Sequence, residues 1–284
     1  MQAYKFIEAA PATTSVIFAS PHSARGYPAD FLQASQLDEL ALRSSEDAYV
    51  DLLLQAAPAA GAHVLLGGVP RAYVDYNRAA SELDPALISG IAVRAMNARI
   101  SSGLGVIPRV VAGGRAIYSG KIGRAQAQER LHNYWQPYHD KLASVMADHV
   151  RDLGRAILLD MHSMPRDAVI LRNSGRPDVV LGDRFGASSQ SDIVDAVAAV
   201  FTAAGLRVAR NAPFAGAYIA QRYGLPSVGQ HVVQVEIDRG LYLDEARVKP
   251  NADFPAFQAL MDQIVTTLAE IGRSDRKSVA LAAE

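Results

Sequence analysis

The chain has 284 residues, half of them apolar and a fifth charged, which is enough to bury a sizeable core in one large domain or two small ones. Its 28 basic and 29 acidic residues leave a net charge of −1, so no broad electrostatic attraction to nucleic acid or to an anionic membrane follows. There is no cysteine, which excludes disulfides and thiolate metal sites.

The opening "MQAYKFIEAA" has a single lysine and no long apolar run, so it does not read as a secretory signal. No stretch reaches the roughly 20 apolar residues that a membrane span needs, and the expected location is the cytoplasm. "TTSVIFASP" reads as a short buried strand that stops at Pro21. "FLQASQLDELALR" has helical spacing, and "SSEDAYVDLLLQAAPAAG" reads as a helix whose opening serines and acids suit its N-terminus. "AHVLLGG" and "RAYVDYN" are predicted as the second and third strands, separated by a Gly-Gly-Val-Pro turn.

Residues 101–123 are rich in Gly and Ser with short β-like pieces, which predicts a long excursion with little regular structure. Such loops inside a compact domain are more often functional than idle. "RAQAQERLHNYWQPYHDKLASVMADHVRDLG" predicts a long helix, kinked at Pro137 and stopped by Gly154. "AILLD", "DVVLGD", "LRVARN" and "HVVQVEID" are further strands. "QSDIVDAVAAVFTAAG", "GAYIAQRYG" and "PAFQALMDQIVTTLAEIG" are helices, the last followed by a charged tail expected to fray. Strands alternating with helices predict a single α/β domain whose sheet is covered on both faces.

In open α/β sheets, ligands gather at the carboxyl ends of strands. Three predicted strands run there into titratable groups: "SVIFASPH" at His22, "AILLDMH" at His162 and "HVVQVE" at Glu236. Imidazole is a favoured zinc ligand, and a catalytic zinc site needs three protein ligands with one position open. His22 and His162 are candidates for two of them. A lone strand-end histidine is more often a satisfied polar residue; two in similar settings raise the metal reading. Asp160 would share a face with His162, either holding its ring or serving a separate structural role. His63, His132, His139, His149 and His231 read as structural or exposed.

No acid follows His22 closely in "HSARGYP", so the third ligand stays open among Glu46, Asp47 and Asp51 of "SSEDAYVD". The competing role for these acids, favoured for Glu46, is to complement a helix dipole. In "RAYVDYNR", Arg71 and Arg78 flank Asp75 and Asn77. The planar donor fork of arginine matches a carboxylate, so this stretch suits an anionic substrate. Arg109 is a candidate for another such contact or for oxyanion stabilisation, against the commoner fate of a solvated surface arginine. Glu236 is the candidate general base, the alternative being an ion pair with Arg239 or Arg222. Asp183 and Arg184 of "LGDRFG" either line the pocket or close a turn.

"SPHSARGYP", "SSEDAYVD", "RAYVDYNR", "GLGVIPRV", "AIYSGKI", "YHDKL", "LLDMHSMP", "VVLGDRFGAS", "NAPFAGAYIAQRYG" and "QHVVQVEIDRGLYLDE" follow one another in an order that resembles the N-formylglutamate amidohydrolase family. The resemblance covers about residues 15 to 270. That family is similar to the zinc carboxypeptidases and to the succinylglutamate desuccinylase and aspartoacylase group. The resemblance implies one α/β domain over 1–284 with a central mixed sheet.

It also implies that His22 and His162 hold one divalent metal ion, zinc. The usual carboxypeptidase pattern has Glu three residues after the first His, where this chain has Arg25; the resemblance to the amidohydrolase family points to Asp47 as the substitute. It further gives Asn77 and Arg78 the grip on a substrate carboxylate and makes Glu236 the catalytic glutamate. The implied reaction is hydrolysis of N-formyl-L-glutamate to L-glutamate and formate, with Arg71 or Arg109 on the second carboxylate or the oxyanion. The expected partner is a small anionic substrate, with neither nucleic acid nor membrane involved. Rival readings are the same machinery acting on another acyl amino acid or a short peptide, and a binding protein that kept the pocket without catalysis.

Overall fold

The computed structural model describes residues 1–92, 98–169 and 175–273. Its apolar runs become β1 (Tyr4–Ile7), β2 (Val16–Ser20), β3 (His63–Gly67), β4 (Ala156–Met164), β5 (Val179–Gly182), β6 (Val208–Arg210) and β7 (Gln230–Asp238). They form one mixed sheet in the order β1-β3-β2-β4-β7-β5-β6. The central strands β3, β2, β4 and β7 run parallel, while β1 and β5 pair antiparallel with β3 and β7. Every residue of β2 and β4 is buried, because helices cover both faces. On one face Val16, Phe18, Ile157 and Leu159 pack with the helices Ser191–Ala203 and Phe254–Ile271. On the other, Ile17, Leu158 and Val232 pack with Leu142, Val145 and Met146 of the helix Gln136–Leu153.

Alternation along β4 then explains how a buried strand carries an acid and an imidazole. Ala156, Leu158, Asp160 and His162 share one face, so the apolar half packs under the helix and the polar half emerges at the carboxyl end. The opposite residues Ile157, Leu159 and Met161 stay in the core. His162 lies inside β4 and Glu236 inside β7, not at strand ends, and the parallel register sets these two directly side by side.

Four local expectations are corrected. "RAYVDYN" is not a strand: the Tyr73 and Val74 amides donate to the Pro70 carbonyl, and the Asn77 amide to Asp75 Oδ1 at 2.8 Å, so turns satisfy the groups a ladder would use. "FLQASQLDELALR" breaks into the helices Ala29–Ala34 and Glu39–Arg43, because Ser35 Oγ accepts from the Leu37 amide and Asp38 caps the second helix at Ala41. "SSEDAYVDLLLQ" yields only a short 3₁₀ turn, Val50–Leu54. The long helix is not regular throughout: it widens into a π turn at Leu131–Trp135, just before Pro137. The proline has no amide to offer the preceding turn, and a wider turn absorbs the defect. That turn brings the Trp135 indole N–H to the Arg78 carbonyl at 2.9 Å.

Strand β1 was not anticipated, although "YKFI" alternates as an edge strand should; its neighbours close tightly, since a Cβ on Gly68 would lie 2.1 Å from the Gln2 carbonyl oxygen. Gly154 ends the long helix at φ 78°, as expected. The charged tail lies outside the described residues. No helix among the described residues is long and apolar enough to cross a membrane.

His139 on the long helix is 4% exposed, with Nε2 2.9 Å from the Tyr76 carbonyl oxygen and Nδ1 2.9 Å from the Tyr223 hydroxyl. Burial pushes its pKa down to about 4. The unfolded chain therefore binds a proton near pH 6.5 that the folded chain refuses, and stability falls as pH drops from about 6.5 to about 4. The contribution at stake is of order 3 kcal/mol. His139→Gln should flatten this part of the stability curve in urea titrations at pH 5 and 7.5; an unchanged slope would place the acid sensitivity elsewhere.

Candidate active site

His22 stands two residues beyond β2, and its carbonyl accepts the Asp47 amide at 3.0 Å, which ties "SPHS" to "SSED". Asp47 Oδ2 lies 3.2 Å from His22 Nδ1 and 2.8 Å from His162 Nδ1. The ligand atoms of His22, Asp47 and His162 all fall within 4.8 Å of one another, and all three residues are buried. The outer nitrogen of each ring is held by a second buried carboxylate: His22 Nε2 by Asp75 Oδ1 at 2.8 Å, His162 Nε2 by Asp160 Oδ2 at 3.0 Å. Such outer carboxylates fix the tautomer and turn the inner lone pairs toward the centre.

Two imidazole lone pairs and a carboxylate oxygen therefore converge, an arrangement that needs a cation or protons between them. Burial opposes charge on both partners, yet the hydrogen bonds from His162 and His22 hold the Asp47 carboxyl well below its usual range. For His162, Asp160 and Asp47 outweigh burial and hold the imidazolium well above its usual value. The nitrogen-rich donor set fits zinc chemistry, and the charge a proton supplies to His162 is the charge a divalent ion would replace.

The other acids do not join this centre. Asp51 makes a bidentate pair with Arg25 at 2.7 and 2.8 Å. Glu46 accepts from Tyr27 Oη at 2.8 Å and from Arg43 Nε at 3.1 Å rather than complementing a helix end. Arg25 is thus neutralised by one of the rejected candidates.

A cavity of about 630 Å³ opens over the centre, lined among others by His22, Asp47, His162, Arg71, Arg78 and Glu236. Glu236 is 9% exposed, and its Oε1 accepts from Gln234 Nε2 at 2.8 Å. Burial pushes its carboxyl up to about 7, with Asp47 adding to the rise and His162, Arg71 and Arg239 opposing it. Among the described residues it makes no ion pair; the expected alternative partner Arg239 donates instead to Asp47 Oδ1 at 3.1 Å and Ser163 Oγ at 3.0 Å. Sequence reading missed Arg239 as the clamp on Asp47, although its place three residues after Glu236 put it at the right end of the sheet.

Arg71 Nε donates to Asp75 Oδ2 at 2.9 Å. Arg78 donates to the Leu104 and Asn77 carbonyls at 3.1 and 2.7 Å and reaches Asp75 only at 4.0 Å. Both ends of the Asn77 amide are engaged by the protein: Oδ1 accepts the Ile219 amide at 2.8 Å, and Nδ2 sits 3.2 Å from His162 Nε2 and 3.4 Å from Gln234 Oε1. Arg109 is placed elsewhere. It pairs with Asp84 at 2.9 Å and does not line the cavity. Asp183 accepts from Asn211 Nδ2 at 2.6 Å, and the Arg184 amide donates to Ala215, so both close a turn behind the cavity wall.

Buried imidazoles on an acid, a glutamate whose carboxyl is pushed up to about 7 and several guanidiniums lie together toward the carboxyl ends of parallel strands, the arrangement of a hydrolytic α/β enzyme. Residues 14–243 match the family model for N-formylglutamate amidohydrolase. The chain belongs to that family. It is 29% identical over 249 residues to an N-formylglutamate deformylase of Pseudomonas aeruginosa, covering 85% of this chain and 88% of that protein. A second N-formylglutamate deformylase, from Pseudomonas putida, is 27% identical over 222 residues, covering 76% and 77%. The crystal structure of N-formylglutamate amidohydrolase from Ralstonia eutropha matches with a TM-score of 0.90 and 31% identity, over 96% of this chain and 99% of that one. A structure from Agrobacterium tumefaciens, at 17% identity and a TM-score of 0.62 over 100% and 97%, shares the fold alone.

Proposed function

We propose that the protein hydrolyses N-formyl-L-glutamate to L-glutamate and formate in the cytoplasm, with zinc held by His22 Nδ1, Asp47 and His162 Nδ1. The observation that carries this reading is the convergence of that donor set with Glu236 in one cavity edged by arginines. When bound, the ion supplies Lewis-acid polarisation of the formyl oxygen and lowers the pKa of water to about 7.

The chain's own residues do the rest. Glu236, with its carboxyl near neutrality, takes a proton from the attacking water and returns it to the amine nitrogen as the C–N bond breaks. Arg71 faces the same cavity, and Asp75 fixes its Nε, so its remaining donors are oriented toward the oxygen on which charge develops. Arg78 anchors the α-carboxylate of the substrate, held in place by two backbone carbonyls, while Asn77 braces the wall behind it. Arg239 keeps Asp47 turned to the centre.

Turnover of N-formyl-, N-acetyl- and N-succinylglutamate by the metal-loaded enzyme tests the choice of acyl group. A kcat/KM that does not favour the formyl substrate would overturn it. Arg78→Ala should lower kcat/KM for N-formylglutamate by about 10- to 100-fold, mostly through KM, because a charge-assisted contact made in both ground and transition states is lost. A variant with KM unchanged would move the anchor to another residue.

A further inference from the structure

The arginines around the cavity are not equally engaged. Among the described residues, Arg71, Arg78, Arg99 and Arg239 line it. Asp75 takes Arg71 and Asp47 takes Arg239, each within 3.1 Å. Arg78 has carbonyl partners and only a distant carboxylate, at 4.0 Å. Arg99 is exposed, and among the described residues its side chain has no hydrogen-bond or ion-pair partner.

Local structure puts these two guanidiniums on one wall. Arg99 belongs to the short helix Ala98–Ser101, and its carbonyl accepts the Leu104 amide at 2.8 Å. The Leu104 carbonyl in turn receives Arg78 Nε. One tight turn therefore joins the two side chains. They are close enough for Arg99, together with Arg71 and behind the larger effect of burial, to push the Arg78 pKa down. Guanidiniums that gather at a cavity and have no close carboxylate partner among the described residues are a standing demand for anions. Two guanidiniums free of close carboxylate partners match two carboxylates. An acyl amino acid with a neutral side chain brings one, and an acyl glutamate brings both.

Resting on the reading of this cavity as an acyl-amino-acid site, we propose that Arg99 binds the side-chain carboxylate of the substrate and is the residue that selects glutamate. Arg78 keeps the α-carboxylate, and the sites divide the two charges of the substrate between neighbouring arms of the same wall.

N-formylglutamine is the neutral near-isostere that separates this role from general binding. The experiment measures kcat/KM for N-formylglutamate and N-formylglutamine in the wild type, Arg99→Gln and Arg99→Lys. The wild type should favour the glutamate substrate by about tenfold or more. Arg99→Gln should lose most of that preference by weakening on N-formylglutamate alone, while Arg99→Lys, a point charge without the fork, should keep part of it. An unchanged preference in Arg99→Gln, or an equal loss on both substrates, overturns the assignment. A wild type that cleaves both equally overturns it while leaving the deformylation reading intact; one that cleaves neither removes that reading and this assignment together.

Discussion

Glu236→Gln is expected to lower kcat by about 10²- to 10⁴-fold while making the metal-free fold more stable at alkaline pH. The glutamine's carbonyl oxygen can still accept from Gln234 Nε2, so the geometry at 2.8 Å is kept and only the proton-accepting charge is lost. The stability effect has a definite sign. In the unfolded chain this carboxyl ionises near 4.5, and in the fold near 7, because the site is buried and Asp47 is close. Below pH 4.5 both states are protonated and the substitution is neutral. Above pH 7 the native state carries a buried charge that the glutamine removes, for a gain of order 3 kcal/mol. Activity assays paired with urea unfolding at pH 4.5 and 8 read both halves. Retention of kcat within tenfold would relocate the base, and an equal stability difference at both pH values would contradict the raised pKa.

Asp47→Ala is expected to abolish both metal content and activity, from about one equivalent to near none by elemental mass spectrometry. It should also destabilise the chain by about 3–5 kcal/mol, because Arg239 and the two imidazoles lose the carboxylate that compensates them. Asp160→Asn offers the gentler test. It leaves all three inner ligand atoms in place and weakens only the outer hold on His162, so metal affinity should fall by about 10- to 100-fold with the fold intact. A full equivalent of tightly held metal in Asp47→Ala would mean that another acid completes the centre.

The sheet was legible in the sequence because buried parallel strands read as uninterrupted apolar runs, and β2, β3, β4, β5 and β7 are such runs. The two imidazoles and Glu236 were legible for the same reason, as polar groups interrupting those runs at one end. What decides among Glu46, Asp47 and Asp51 is not periodic. It depends on the Asp47 amide finding the His22 carbonyl, and on Arg25 and Arg43 taking the other two acids, which are contacts that only tertiary packing specifies. Arg109 and Arg99 make the same point in opposite directions. Both sit in or beside the irregular excursion, where no face can be assigned from spacing; Asp84, 25 residues away, claims the first, and nothing among the described residues claims the second. "RAYVDYN" misled because β-branched and aromatic residues signal strands only when the backbone amides are free to join a ladder.

The donor set is unevenly anchored. His162 belongs to β4, in the middle of the sheet, with β2 on one side and β7 on the other, and His22 follows β2 directly. Amides in such strands exchange with solvent only when the whole domain opens, whereas irregular segments open locally and often. Asp47 is carried by an irregular stretch just before the left-handed Tyr49 at φ 66°, and His22 sits in the turn that follows β2. An ion held here would enter and leave by the breathing of these irregular segments, not by unfolding of the sheet, and it would act as a latch that quiets them.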